Sequence, residues 1–195
     1  MPKKQQSKKG KNRFTEKGFS FIEVMLAVFL IAVGVVASVT LLGVGLRESL
    51  DSRSQLTAVL LAQEGAELVR NIRDNNWTTG PPVTTFENFP AVDPDNCIIG
   101  LSSAGLICGA GAANKTLYLD SDGLYDVAGV SPTKFKRKIM ISYDPAAATP
   151  GDATYATVTG MTIWGSSFPA DAEHCNTTTK CSFVEVTLTN WGDKN

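Results

Sequence analysis

Few residues of this 195-residue chain offer chemistry, and most of them have an ordinary structural use. The four cysteines, Cys97, Cys108, Cys175 and Cys181, can pair in three ways, and they suit an oxidising, extracytoplasmic compartment. Locality favours Cys97 with Cys108 and Cys175 with Cys181, each closing a loop, as a preference among the three. A zinc site built from His174, the only histidine, with Cys175, Cys181 and another cysteine is the rival, but it lacks a C-x-x-C pair and a second histidine. Asp120-Ser121-Asp122-Gly123 has the start of a calcium loop without its later ligands, and turn chemistry accounts for it. There is no G-x-S-x-G, no H-E-x-x-H and no phosphate-binding glycine motif, and the carboxylates are scattered through turns and solvated faces. The chain therefore reads as no enzyme, with no cofactor and no metal. What stands out is a lone carboxylate, Glu23, at the start of a long apolar run, with the peptide bond Gly18-Phe19 in front of it.

From Phe19 to Leu46 Glu23 is the sole ionisable residue. As a helix rising about 1.5 Å per residue this run is about 42 Å long, against roughly 30 Å for the hydrocarbon core of a bilayer. Residues 1–18 carry a net charge of +6, from seven lysines and arginines against Glu16, and the remainder carries −7, from 11 basic and 18 acidic residues. The overall −1 is a cancellation. Positive charge beside an apolar span stays cytoplasmic, which places the N-terminus inside and everything beyond Leu46 outside. Nucleic-acid binding by the lysines is not expected, because the basic run abuts a membrane segment and contains no aromatic or Gly-rich readout residues. An ordinary secretory signal fits poorly too: the apolar run is about twice the usual length and no A-x-A-like site follows it. A cut between Gly18 and Phe19 would instead remove the basic leader and leave the apolar helix at the start of the mature chain.

Lys17-Gly18-Phe19-Ser20-Phe21-Ile22-Glu23-Val24-Met25-Leu26 resembles the N-terminal signature of type IV prepilins and pseudopilins, the class III signal read by a prepilin peptidase. The close resemblance covers roughly residues 13–50 and continues more loosely to Trp77. It implies cleavage after Gly18, N-methylation of Phe19, and a role for Glu23 in setting subunit register within a filament. The implied partners are other pilin subunits, the prepilin peptidase/methylase and, before assembly, the cytoplasmic membrane; after assembly the subunit belongs to an extracellular pilus. Chemistry agrees: a new amine at Phe19 has a reference pKa of about 7.7–8.0, and an intramembrane carboxylate calls for a partner. Many pilins carry a proline within this span; here there is none between Phe19 and Pro81, and Gly34, Gly43 and Gly45 are the only interruptions. The run from Glu64 to Asp74 is similar to the helix end of minor pilins of the pilus-modification group. A Cys175–Cys181 bridge would resemble the disulfide-closed region near the end of many pilins. The expected function is a minor pilin; a pseudopilin of a secretion or DNA-uptake system shares the N-terminus, and a non-polymerising membrane-anchored binding protein is the reading from a different class.

The elements that must carry these residues follow from periodicity. Beyond Leu46, Leu56, Leu60, Leu61, Leu68, Val69 and Ile72 recur at helical spacing, with Gln63, Glu64, Glu67, Arg70 and Arg73 on the polar side. This stripe predicts packing on a sheet. Asn75 to Pro82 ends the helix with Asn, Gly and consecutive prolines. Prolines and a small-residue tract make 78–115 an irregular region. A hairpin is predicted around Asp120–Gly123, and strands at Phe135–Tyr143, Tyr155–Trp164 and Phe183–Trp191, the second with an apolar phase shift that makes Gly160 a candidate bulge. The expected division is 1–18 leader, 19–46 transmembrane and assembly helix, 47–77 amphipathic helix, 78–115 irregular, 116–195 antiparallel β domain. The fold class is α+β, a long N-terminal helix packed on a small antiparallel sheet.

Overall fold

The computed structural model describes residues 18, 20–79, 85–87, 89–91, 94–103, 105–112 and 115–190. One helix, α1, runs from Phe21 to Thr79 over 59 residues. It contains no proline, and the Ser20 carbonyl opens it by accepting the N–H groups of Glu23 at 3.0 Å and Val24 at 3.2 Å. The chain divides into two units, Met1–Glu48 and Ser49–Asn195.

Among the described residues of the second unit seven antiparallel strands form one sheet: β1 (Cys97–Ile98), β2 (Ile107–Cys108), β3 (Thr116–Leu119), β4 (Tyr125–Asp126), β5 (Ser131–Tyr143), β6 (Tyr155–Ile163) and β7 (Cys181–Thr189). β5, β6 and β7 make a meander. The free side of β5 takes two short hairpins, with Cys97 of β1 opposite Ile139 and Thr116 of β3 opposite Lys136. The hairpin turn between β3 and β4 is held by Asp120, whose Oδ1 accepts from the N–H groups of Asp122 at 2.9 Å and Leu124 at 2.8 Å, while Gly123 takes a φ of +80°. β1 and β2 lie inside the stretch expected to be irregular; two-residue strands are too short to leave a periodic signal.

The helix packs on the sheet through small residues. Ala58, Leu61, Ala62, Gly65, Ala66, Val69 and Arg73 are buried, whereas Leu56 and Leu60, read as part of the buried stripe, are exposed. The reason is close approach. A Cβ on Gly160 of β6 would lie 2.4 Å from the Ala62 carbonyl oxygen, and one on Gly65 would lie 2.9 Å from Arg137 Cδ and from Ile139 Cδ1. Leucine at the closest contact would hold the backbones apart, so alanine and glycine take those positions while Leu56 and Leu60 turn outward.

This contact also corrects the reading of Gly160. β6 pairs with β5 and with β7 residue by residue through Gly160 with no register break, so there is no bulge. The apolar phase shift has another cause. Ala156 and Val158 pack with Val69, Ile139 and Leu188, while Met161 and Ile163 belong to a second cluster with Cys181, packed by Met140, Phe168, Ala172 and Cys175. The excursion between β6 and β7 covers that part of the sheet, so β6 is buried on both faces, and such a strand loses its alternation.

Candidate functional site: the exposed apolar helix and its acidic first turn

Every residue of α1 from Phe21 to Arg53 is exposed, and Ser54 is the first buried position. Phe21 is 79% exposed and Leu41 74%. A soluble core helix hides such a face. This one is long and apolar enough to cross a membrane. Its two mid-span hydroxyls are satisfied within the helix: the Ser38 hydroxyl donates to the Gly34 carbonyl at 2.8 Å and the Thr40 hydroxyl to the Val36 carbonyl at 2.9 Å. Neither demands water, so hydrocarbon can surround the run at little polar cost. Nothing lies within 4 Å of a Cβ built on Gly34, Gly43 or Gly45, so no contact among the described residues requires those glycines.

Glu23 sits in the first turn of α1, where the unsatisfied N–H groups of a helix favour negative charge. Gly18 is exposed. Phe19, the residue of the expected methylation, and the basic leader at 1–17 lie outside the described residues, as does Trp191.

The cysteines are placed in the second unit. Cys97 and Cys108 are disulfide-bonded as a directly paired position of the β1–β2 hairpin, with Cα atoms 4.1 Å apart. Cys175 and Cys181 are bonded at a Cα separation of 4.9 Å and tie the excursion after β6 to the start of β7. All four sulfurs are therefore occupied and give no thiolates to zinc. His174 lies in the same excursion, its Nδ1 2.5 Å from Asp171 Oδ1, both groups exposed. The hydrogen bond with Asp171 and its charge raise the His174 pKa, and the hydrogen bond from His174 is the main cause lowering that of Asp171.

The structure adds one group that sequence reasoning passed over, Arg137. Position 137 falls in phase with Phe135, Ile139 and Ile141, and its side chain lies on their buried face, 1% exposed. Its Nη1 donates to the Leu61 carbonyl at 3.2 Å and to Glu64 Oε1 at 3.1 Å, and its Nη2 to the Ile99 carbonyl. Burial lowers the Arg137 pKa from the usual guanidinium range, opposed by the charge and hydrogen bond of Glu64. Arg73, placed on the polar side of the helix by its type, is also buried and donates to the Thr189 carbonyl at 3.0 Å. The strict alternation of β5 was the signal available for Arg137; for Arg73, four residues after Val69, it was helical spacing.

Comparison with protein-family models, curated proteins and solved structures returns no match for the chain.

Proposed function

We propose that this chain is a type IV pilin-like structural subunit, a minor pilin, matured by cleavage after Gly18 and N-methylation of Phe19. It is held in the cytoplasmic membrane by its apolar helix and then assembled into a surface filament through that helix. The observation that carries the reading is the unbroken exposed apolar face from Phe21 onward, its single acid at Glu23, directly behind Gly18-Phe19. A plain anchor needs neither a cleavable basic leader nor an acid in its first turn. In a bundle of such helices the exposed face gains apolar neighbours, glycines that no contact among the described residues requires permit close helix approach, and Glu23 finds a protonated amine of its own or a neighbouring chain. The test is N-terminal sequencing of the protein recovered from sheared surface filaments. A mature start at methylated Phe19 in that fraction is expected. Recovery only in the membrane fraction, with the leader intact, would overturn the proposal in favour of a non-polymerising anchor.

A further inference from the structure

β7 pairs with β6 on one side and with no strand on the other among the described residues. It is the long edge of the sheet, nine residues against two each for β2 and β4. Successive residues of an antiparallel strand direct their N–H and C=O alternately to its two sides. The Asn190 N–H donates to the Thr154 carbonyl at 2.8 Å and the Lys180 carbonyl accepts from Trp164 at 3.0 Å, so even-numbered residues face β6. Cys181, Phe183, Glu185, Thr187 and Thr189 therefore face outward.

The two ends of this outward row are closed by the chain itself. The Cys181 N–H donates to the Asn176 carbonyl at 3.2 Å, and the Thr189 carbonyl accepts from Arg73 at 3.0 Å. Between them the main-chain groups of Phe183, Glu185 and Thr187 bond no described residue. The usual defences of an edge are sparse here: β7 has no proline, an unbroken register with β6, and Glu185 as its one charge. Val184 and Val186 are half-buried on the side facing the core, and Phe183 is 41% exposed on the other. A further strand would cover all three.

We propose that the outer edge of β7, across Phe183–Thr187, docks an extended segment of another polypeptide by strand addition. That segment alternates apolar residues, set beside Val184 and Val186, with polar ones that include a lysine or arginine beside Glu185. Main-chain bonds supply affinity and the alternating side chains supply selectivity. A second copy of this chain is a poorer occupant, since antiparallel pairing centred on the open row sets Glu185 against Glu185. The site stands independently of the filament reading.

The test uses the full chain in detergent micelles and a capped nine-residue peptide alternating valine and lysine. A control peptide of the same sequence carries N-methyl groups on alternate amides. Binding of the first peptide slows hydrogen exchange at the Phe183, Glu185 and Thr187 amides and leaves Val184 and Val186 unchanged; the control gives no protection. Glu185→Lys weakens binding about tenfold, from reversal of one cross-strand charge pair. Thr187→Pro removes one outward N–H without touching the ladder to β6, and it abolishes protection at Glu185. Equal binding of both peptides, or peptide binding without protection of these amides, overturns the proposal. Protection that rises with protein concentration in the absence of peptide also overturns it, by assigning the edge to a second copy.

Discussion

Arg137 is the residue on which the second unit's layers converge, joining β5 to α1 through Leu61 and Glu64 and to the end of the β1 segment through Ile99. Removing it leaves two buried carbonyls, of Leu61 and Ile99, and the partly exposed Glu64 short of a donor. Arg137→Ala is expected to destabilise the fold by about 3–5 kcal/mol, measured by urea unfolding, and Arg137→Lys to recover only part of that because one ammonium cannot span the fork. Asp126 supports the neighbouring loop. Burial works to raise its pKa, but hydrogen bonds from Ser102, Val127 and Leu101 outweigh this and hold the carboxyl below its usual value of 3.8. A carboxyl depressed in the folded state stabilises when ionised, so its contribution is complete above the unfolded value and is lost as pH falls through the folded one. Unfolding free energy is therefore expected to drop below about pH 4, and Asp126→Asn to lower stability at neutral pH while making that acid limb shallower. Glu23 has a different kind of test. Glu23→Val should leave membrane insertion intact and reduce recovery in sheared filaments several-fold; unchanged recovery would remove the pairing argument.

At the scale of elements, the decisive contact is α1 against β6. Gly160→Ala forces a Cβ into the Ala62 carbonyl, a backbone atom that cannot move without shifting the helix, and should cost about 1–3 kcal/mol of thermal stability. Gly65→Ala meets Arg137 Cδ and Ile139 Cδ1 at 2.9 Å, side-chain rather than backbone atoms though both buried, and the alanine regains up to about 1 kcal/mol of helix propensity, so its net cost should be the smaller of the two. The ordering of the two variants is the measurement that checks this packing. Sequence periodicity revealed that a helix with an apolar side meets a sheet, because alternation and helical spacing are local patterns. It placed Leu61, Leu68, Val69 and Ile72 toward the core as the structure has them, but it also took Leu56 and Leu60 as inward, because they outrank Ala58 and Ala62 in hydrophobicity, whereas contact distance selects the smaller residues.

For the whole molecule, the unit boundary at Glu48 and Ser49 separates the fully exposed apolar run from everything that packs on the sheet. A chain beginning at Ser49 should fold without detergent, elute as a monomer in size-exclusion chromatography and retain both disulfides. Aggregation of that fragment would show that the removed residues contribute to its core. The full chain should partition with membranes, since burying its apolar run in hydrocarbon is worth roughly 25 cal/mol per Å².

What the sequence determined by itself lies at the N-terminal end: the net positive charge of residues 1–18, the Gly18-Phe19 bond, Glu23 and the length of the apolar run. These are properties of consecutive residues, and their physical meaning depends on hydrocarbon and water rather than on a fold. The strands from Thr116 onward were largely legible for the same reason, each carrying its own alternation. Tertiary structure alone decided which groups Arg137 meets once it turns inward, the close approach that calls for glycine at 160, the burial of both faces of β6 beneath its own excursion, and, among the described residues, the open middle of the β7 edge. Each of these depends on which distant segment arrives next to the residue, and a charge, a glycine or a free amide carries no local mark of its neighbour.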